Sequence, residues 1–577
     1  MGISLKTRLV KGFRDSVTAT CPDYPLTDEE IELTSPPHDA LGDYASAIAL
    51  KLAKHIGKHP MEIAEDLANN FPKSSEVSVK AEKPGYNNFT IKKEWLQAQL
   101  PNILKAGTQW GRMGTPRKKV LVEYSSPNIA KMMHVGNFRA TIVGHALDNV
   151  FRHLGYEVVN DNHLGDWGTQ FGKLLVAYTL WYTPRDGSPI TVPELEELYI
   201  RFNKEMKNDP SLEEDARHAT VKLQQGDTEA RKLWNVFCRI SIAEFNHIYE
   251  LFNIKFDYLH GESFYEQMLP GIIAEALEKK VAIESEGAVV IPLSDVGLPD
   301  YMIRKSDGGF MYSTTDLATI KWREENLSLD LVLYVVGDQQ TLHFKQLFAA
   351  AQKLDYAKET ELVHIPFGMV LGEHGRKMST REGEAVDAMY FIQKSIEVAK
   401  KIIDEKNPSV SPAERDEIAR RVAISALVYN DLSRDRESSV TFNWEQMMNL
   451  KGTSAPYLLY TYVRINGIVK KVQAEFPDDL TAKADTSLLN EPDELLLLRK
   501  LVKFPETLAE VAMSYNPHYL VHYLDELANA FHAAYDRLPV VQADEPVRRA
   551  RLTLFRAVAH TMKTGMDILG MQPVERM

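Results

Sequence analysis

Residues 118–173 read KKVLVEYSSPNIAKMMHVGNFRATIVGHALDNVFRHLGYEVVNDNHLGDWGTQFGK, and the fold class can be inferred from this segment. Its apolar, β-branched run at 120–124 is typical of a buried parallel strand. A Ser-Ser-Pro-Asn turn ends that run, and apolar residues then recur at helical spacing over 138–154. Gly155 stands at the C′ position of this helix, and a second apolar run follows at 156–159. The order strand–loop–helix–strand predicts a parallel α/β domain.

The loop between the first strand and the helix carries polar groups suited to a ligand. In His134-Val135-Gly136-Asn137, the glycine lets the backbone approach a ligand with no Cβ in the way. A histidine and an amide flank it at the helix N-terminus, where free N–H groups and the helix dipole favour an anion such as a triphosphate. Open α/β sheets bind ligands at this edge. The alternative is that His134 only caps the helix or packs against it.

A second loop with cationic side chains lies far downstream. Residues 376–381, Arg-Lys-Met-Ser-Thr-Arg, are flanked by glycines and follow an apolar run at 362–371. The early and the late loop together resemble the HIGH and KMSKS elements of class I aminoacyl-tRNA synthetases. The strings VEYSSPNIAK-x-x-HVG and NHLGDWGTQFG resemble arginyl-tRNA synthetases specifically. This resemblance runs from the N-terminal region to the closing PVERM.

Composition places the chain among ordinary globular proteins. At 577 residues it is too long for one core, so about three or four domains are expected. Apolar residues make up 44% of the chain and charged residues 25%. Cys21 and Cys238 cannot form a disulfide framework and fit a reducing compartment, which predicts a cytoplasmic protein. We find no apolar run long enough to span a bilayer and no secretory signal.

The acidic charge balance limits the class of nucleic-acid partner. A formal net charge of −13 argues against a protein that coats nucleic acid non-specifically, because such binding needs an excess of Lys and Arg. It leaves room for a structured RNA that docks on local basic faces.

The apolar pattern divides the chain into three predicted domains. Residues 1–112 should form a small α/β domain, which in the resembled family contacts the elbow of the tRNA. Residues 113–390 should form a Rossmann-like, doubly wound parallel sheet with a polar, mainly helical insertion at about 176–290. Residues 391–577 are helical almost throughout, which predicts an all-α bundle. The resembled family uses such a bundle to bind the anticodon.

Three apolar runs are expected to be strands in the second half of the catalytic domain. They lie at 287–291, 329–336 and 362–371. The near-continuous apolar run LDLVLYVV is typical of a strand buried on both faces.

The resemblance implies which residues act on ATP. The residues expected to assist catalysis are His134, Asn137, Lys131 and Lys377. The residues expected to bind ATP are Ser125, Ser126, His134, Gly136, Asn137, Met369, Lys377, Met378 and Ser379. Mg²⁺ would arrive with ATP, and no Cys/His spacing indicates a metal site held by the protein itself. For Lys131 the alternative is an ordinary solvent-facing lysine.

Recognition of arginine needs carboxylates that can meet a guanidinium. The resemblance maps this role onto Glu123, Asn128, His134, Tyr312, Asp316 and Gln340. Tyr312 and Asp316 are four residues apart, so both face one way on a helix. The alternatives are that Asp316 is a helix cap and Glu123 a surface carboxylate.

Contacts with tRNA are expected at both ends of the chain. In the N-terminal domain, Leu41-Gly42-Asp43-Tyr44 resembles a family motif, although Tyr44 could equally pack behind a turn. In the helical domain, Tyr457, Tyr460 and Arg464 suit stacking on unpaired bases, although tyrosines on a helix are also common in a bundle core. The expected partners are tRNA(Arg), L-arginine and ATP, with no membrane and a monomeric state.

Two departures from the general class I pattern leave alternatives open. Asn137 replaces the second histidine of HIGH, and Thr380 replaces the fourth-position lysine of the later loop. The expected activity is ATP-dependent formation of arginyl-adenylate followed by transfer to tRNA. The first alternative is a catalytically weakened paralogue that binds tRNA or arginine, in which Asn137→His would restore nothing. The second alternative is a small-molecule nucleotidyltransferase, which would not need the long helical C-terminal region.

Overall fold

The structure is a computed structural model. It describes residues 4–27, 30–38, 41–114, 118–184, 188–371, 387–406, 410–450 and 452–577. The described residues form the strands β1 (Tyr44–Ser46), β2 (Val77–Glu82), β3 (Tyr86–Ile91), β4 (Lys119–Glu123), β5 (Glu157–Asp161), β6 (Ile283–Ser285), β7 (Ala288–Ile291), β8 (Tyr301–Arg304), β9 (Leu331–Gly337), β10 (Glu361–Phe367), β11 (Val370–Leu371) and β12 (Val440–Thr441).

The helices precede, cover and follow these strands. They are α1 (Leu5–Thr20), α2 (Ile48–Ile56), α3 (Pro60–Asn70), α4 (Lys93–Ala106), α5 (Val135–Leu154), α6 (Thr169–Trp181), α7 (Val192–Glu205), α8 (Ser211–Gln224), α9 (Thr228–Leu251), α10 (Leu269–Glu278), α11 (Tyr312–Leu327), α12 (Thr341–Lys353), α13 (Ala388–Lys406), α14 (Pro412–Leu432), α15 (Trp444–Met447), α16 (Ala455–Glu475), α17 (Pro492–Ser514), α18 (His518–Arg537) and α19 (Glu545–Leu569).

A parallel sheet with the order β10-β9-β4-β5 forms the centre of the molecule. The chain passes from β4 outward to β5 and later returns to β9 on the other side of β4. The topological switch point therefore lies between β4 and β9, where doubly wound sheets bind their ligands. Val120 and Val122 pack into the core that contains α5, whereas Leu121 packs into the core under α11 and α12. The predicted fold class is confirmed.

Helix α5 lies close against the sheet because small residues face it. A Cβ added at Gly144 would lie 2.1 Å from the Cβ of Tyr124. The helix begins at Val135, which is earlier than its apolar spacing indicates, and ends before Gly155, whose φ of 103° is left-handed. The strand–loop–helix–strand prediction is correct.

The run at 287–291 forms a strand, but it does not belong to the parallel sheet. β7 pairs antiparallel with β6 and with β8 in a separate sheet of order β6-β7-β8. The reason is a two-residue turn, in which Glu286 and Gly287 both have positive φ (51° and 79°). Such a turn joins antiparallel strands, whereas a parallel pair needs a long crossover. The prediction placed this strand in the wrong sheet.

The run at 362–371 is two strands instead of one. β10 ends at Phe367, and Gly368 donates its N–H to the carbonyl of Arg436 at 3.0 Å. A Cβ at Gly368 would lie 2.4 Å from the carbonyl oxygen of Glu437, so only glycine allows this close approach. The chain then forms β11, which pairs with β12 beyond α14.

The remaining domains match the predicted classes. The N-terminal domain is a three-stranded antiparallel sheet, β1-β3-β2, with α1–α4. The segment between β5 and the small sheet is helical, as predicted for the insertion, and α13–α19 form the C-terminal helical region. In the part of the chain that the structure describes, no helix is both long and apolar enough to cross a membrane.

Candidate active site

The loop that leaves β4 has an irregular backbone held by buried hydrogen bonds. Ser125, Ser126 and Ala130 have φ values of 75°, 47° and 61°. The Ser125 hydroxyl lies 2.8 Å from the hydroxyls of both Tyr249 and Thr141. Its side chain is buried, so the geometry gives Ser125 a role in shaping the loop. The Ser126 N–H donates to the Asn162 side chain, while its buried Oγ has no partner among the described residues.

His134 is the N-cap of α5 and is exposed. Its Nδ1 accepts hydrogen bonds from the N–H groups of Gly136 at 3.0 Å and Asn137 at 3.4 Å, and the Asn137 side chain bonds back to the His134 N–H at 3.5 Å. A Cβ at Gly136 would lie 2.9 Å from Cε1 of His134, so glycine makes room for the ring. The capping interpretation of His134 is correct. It is compatible with anion binding, because the ring lies at the positive end of the helix.

The structure describes the residues on either side of the second predicted loop. Lys377, Met378, Ser379 and Thr380 lie outside the described residues. Asp387, where the described chain resumes, forms an antiparallel bridge with His134, and the Ala388 N–H donates to the Met133 carbonyl at 2.8 Å. On the other side of this segment, Met369 is 43% exposed. The chain that follows the predicted lysine loop therefore contacts the start of α5.

Lys131 is directed toward the insertion. Its Nζ lies 5.4 Å from the ring centroid of Tyr199 on α7, and Lys173 contacts the same ring at 5.9 Å. The structure thus gives Lys131 a cation–π contact with a neighbouring helix.

Glu123 ends β4 with a buried side chain, not a surface one. Its Oε2 accepts a hydrogen bond from Nη2 of Arg323 at 2.5 Å, and the same nitrogen lies 2.8 Å from Oδ2 of Asp161. Asp161 and Tyr334 are the direct register partners of Glu123 on β5 and β9. Our reading of the sequence missed Asp161 and Arg323. The available signal was that Arg323 follows Asp316 by seven residues, which places both on one face of α11.

The other residues predicted to bind arginine lie on the elements around Glu123. Asp316 accepts from Nε2 of His343 at 2.7 Å, and the exposed Tyr312 ring lies 5.2 Å from the same imidazole. Asp316 does not cap α11, which begins four residues earlier. Gln340 is exposed at the start of α12. Asn128 is exposed. A Cβ added at Gly165 would lie only 2.2 Å from Oδ1 of Asn128, so the amide lies directly against the backbone of this glycine.

The charges of several of these groups act on the pKa of one side chain, His163. Burial lowers this pKa, the negative charge of Glu123 raises it and the positive charge of Arg323 lowers it, and the pKa is raised overall. Asp161 and Asp316 raise the pKa of the same ring. Glu123 and Asp316, which come from different layers of the fold, thus create one region of negative potential.

The predicted tRNA contacts have contrasting surroundings. Tyr44 is 3% exposed, and its hydroxyl donates to the Glu506 carboxylate at 2.8 and 2.9 Å, so it packs between the N-terminal domain and α17. Tyr457, Tyr460 and Arg464 instead lie together on α16 against His532 and Tyr535 of α18. The guanidinium of Arg464 lies 3.8 Å from the Tyr535 ring centroid, and the Tyr460 ring is stacked at 6.2 Å from His532. His532 and Tyr535 were not predicted.

The described residues contain no group of three or more His, Cys, Asp or Glu side chains arranged for a metal ion.

Three family models match the chain. The family described as tRNA synthetases class I (R), catalytic domain matches residues 99–444, the DALR anticodon binding domain matches 458–577, and the arginyl tRNA synthetase N terminal domain matches 7–91. An arginine–tRNA ligase of Chloroflexus aggregans is 38% identical over 99% of both chains, and one of Clostridioides difficile is 37% identical over 96% of this chain and 97% of its own.

Solved structures give the same result. The crystal structure of arginyl-tRNA synthetase from Plasmodium falciparum superposes with a TM-score of 0.86 at 25% identity and full coverage of both chains. That from Thermus thermophilus gives 0.84 at 25% identity, with 99% of this chain and 100% of that chain covered. The chain therefore belongs to the arginyl-tRNA synthetases of class I, which confirms the family predicted from its two loops.

Proposed function

We propose that this protein is an arginine–tRNA ligase whose active site lies at the carboxyl edge of β4. The observation that carries the proposal is the meeting of two opposite electrostatic surroundings there. The N-terminus of α5, with the exposed His134, suits the triphosphate of ATP. The negative region made by Glu123 and Asp316 suits the guanidinium of arginine. ATP enters as its magnesium complex, with the ion held mainly by phosphate oxygens.

The first reaction joins arginine to AMP. A carboxylate oxygen of arginine attacks the α-phosphorus, the bond from that phosphorus to the bridging oxygen breaks, and pyrophosphate leaves. Negative charge builds on the phosphates, so fixed donors accelerate the step. We assign this role to His134, Asn137 and the N–H groups that open α5. We also assign to Lys377 a positive charge that stabilises the phosphates, and to Gly136, Ser126, Met369, Met378 and Ser379 contacts with the nucleotide.

The second reaction transfers arginine to tRNA. A hydroxyl of the terminal adenosine attacks the carbonyl carbon of the adenylate, its proton is lost, and AMP leaves. We assign Tyr457, Tyr460, Arg464 and Tyr535 to the binding of unpaired bases. The support is their shared position on α16 and α18, where aromatic rings and one guanidinium are gathered.

Selection of arginine falls to Glu123, Asp316, Tyr312, Gln340 and Asn128. Glu123 and Asp316 supply the negative charge that a guanidinium requires. Tyr312, Gln340 and Asn128 are exposed at this edge, where they can border the substrate. The monomeric state and the cytoplasmic location stay predictions.

ATP–pyrophosphate exchange tests the assignment. Purified protein is incubated with ATP, labelled pyrophosphate and each amino acid, with and without bulk tRNA. We expect exchange that depends on arginine and on no other amino acid. If arginine supports no exchange either with or without tRNA, the proposal is wrong. Aminoacylation of tRNA with labelled arginine then checks the second reaction.

A further inference from the structure

Arg323 is a buried guanidinium in the middle of the negative region. Its side chain is 2% exposed, compared with 8% for Glu123 and 1% for Asp161. It contacts Glu123, Asp161 and Tyr334. These three residues are side by side on adjacent strands, since Glu123 is in register with both Asp161 and Tyr334. The guanidinium carbon is 5.6 Å from the Tyr334 ring centroid.

Charge compensation of Glu123 and Asp161 explains only part of the placement of Arg323. Arg139, another fully buried arginine, uses Nε, Nη1 and Nη2 in hydrogen bonds to one carboxylate and three carbonyls. Arg323 bonds only through Nη2, and its Nε and Nη1 have no partner within the described part of the chain. Buried donors without partners destabilise a fold. Buried donors without partners in this position call for a reason besides charge compensation.

The charge count supplies that reason. Glu123 and Asp161 carry two negative charges and Arg323 one positive charge, so the group keeps one net negative charge. The bond from Arg323 goes to Oε2 of Glu123, and Oε1 accepts no hydrogen bond from the described residues. One oxygen of the carboxylate is therefore fixed, and the other is left for one further cation.

We propose that Arg323 is a positioning residue for substrate selection, a guanidinium of the protein that shares Glu123 with the guanidinium of arginine. It holds Oε2 and thereby fixes Oε1 as the acceptor for the substrate. The proposal rests on the function proposed above, because it takes Glu123 as the carboxylate that binds arginine. Its consequence is selectivity: a fixed anionic acceptor rejects citrulline, whose urea group carries no charge.

The test separates positioning from simple charge compensation. Arg323→Met alone leaves two unpaired carboxylates, so the decisive variant is Arg323→Met/Asp161→Asn, which keeps one net negative charge. Arginine KM, ATP KM and kcat are measured by ATP–pyrophosphate exchange with tRNA present, and the melting temperature is measured for each protein. Arg415→Met is the control, because Arg415 is a partly exposed arginine of α14 that pairs with Asp404 and Asp416.

We expect the double variant to melt near the wild-type temperature. Its arginine KM should rise roughly ten- to a hundredfold, because this is the loss of affinity that corresponds to one charge-assisted hydrogen bond. ATP KM stays within about twofold, and the preference for arginine over citrulline falls. If the double variant regains both the melting temperature and the arginine KM of the wild type, Arg323 only neutralises a buried charge and the proposal is overturned.

Arg323→Lys keeps the test decisive if the double variant does not fold. It preserves the charge but not the length or planar shape of the guanidinium, so we expect arginine KM to rise at least about fivefold. An unchanged arginine KM contradicts a positioning role.

Glu123→Gln tests the proposed arginine site separately from the role of Arg323. If it leaves arginine KM unchanged, the proposed site itself is wrong. If it raises KM while both Arg323 variants do not, only the role of Arg323 is wrong.

Discussion

The contact between Gly136 and the ring of His134 makes the first prediction. In Gly136→Ala the new Cβ would lie 2.9 Å from Cε1 and 3.0 Å from Nδ1 of His134, so the ring must leave its place on the helix N-terminus. We expect kcat for adenylate formation to fall roughly a hundredfold, the effect of losing one fixed donor. Single-turnover formation of arginyl-adenylate measures it.

A matched glycine controls for the effect of an added methyl group. Gly271 lies in α10 with nothing within 4 Å of its added Cβ, so Gly271→Ala should leave the rate unchanged. A Gly136→Ala protein as fast as the wild type would show that the His134 ring takes no part.

Lys377→Ala makes the second prediction. It removes a positive charge that is expected to stabilise the phosphates only as the α-phosphate is attacked. We expect slower adenylate formation, by about a hundredfold, with arginine affinity nearly unchanged. Equilibrium binding of arginine is the second measurement, and a large loss there would mean that the loop has been assigned to the wrong substrate.

At the level of single residues, local pattern located part of the site. His134 and Gly136 were found because the helix start is encoded by neighbouring residues. Arg323 was missed because its role depends on Glu123, which is 200 residues away along the chain. The packing of Tyr44 was left undecided for the same reason, since Glu506 is its partner. The spacing of residues predicts which side chains share a face of a helix, but it does not predict which distant residues pack against that face.

The surface shared by α16 and α18 can be tested at Tyr460 of α16. Tyr460 is 39% exposed but also stacks on His532, so Tyr460→Ala should destabilise the fold by only about 1 kcal/mol. If it stacks on a base, the KM for tRNA should rise roughly five- to a hundredfold while pyrophosphate exchange is retained. Steady-state aminoacylation measures this KM. Tyr390→Ala, an exposed tyrosine of α13, is the control, and an equal effect of both changes would refute a specific contact.

Asp525 on α18 gives the bundle a dependence on pH. Burial raises the pKa of its carboxyl to about 6, although the hydrogen bond from Tyr429 acts in the opposite direction. The folded chain then binds this proton more tightly than the unfolded chain does. The stabilisation is full below the unfolded pKa near 4 and is lost as the pH rises through about 6.

Asp525→Asn should therefore remove this loss. We expect a gain of up to about 3 kcal/mol at pH 7 and almost none at pH 4. Melting temperatures across this pH range give the measurement, and Asp536→Asn, exposed on the same helix, is the control. A melting curve of Asp525→Asn that shifts equally at both pH values would contradict the assignment.

Elements were predictable where the local signal was complete. The helix at 138–154 was found because its periodicity and its terminal glycine agree. β7 was assigned to the wrong sheet because a short apolar run does not specify its partner, although Glu286-Gly287 carried the hairpin signal. The break at Gly368 could not be predicted, because its cause is a carbonyl contributed by residue 437.

At the scale of the whole molecule, Arg139 joins the catalytic helix to the bundle. It lies five residues after His134, pairs with the buried Asp431 of α14 at 3.1 Å and binds the carbonyls of Gly368, Arg436 and Ser438. Burial raises the pKa of Asp431 to about 6, with Arg139 opposing that rise. Arg139→Met leaves this carboxylate buried without a partner, so we expect a loss of about 3 to 5 kcal/mol.

Thermal unfolding of three variants measures the contribution of the pair. Arg139→Met should lower the melting temperature, and Arg139→Met/Asp431→Asn should recover part of it, because the buried charge is gone. Arg420→Met, an arginine near the surface of α14, is the control. An unchanged melting temperature in Arg139→Met would show that the two parts do not depend on this contact.

The docking of the N-terminal domain on α17 has a consequence for how the chain is made. Tyr44 and Glu506 bond across 462 residues, and Trp110 bonds to the carbonyl of Leu501 across 391. A ribosome that adds about 5 to 20 residues per second leaves this face uncovered for roughly 20 to 90 seconds. During that time, a surface that is synthesised early has no partner to cover it.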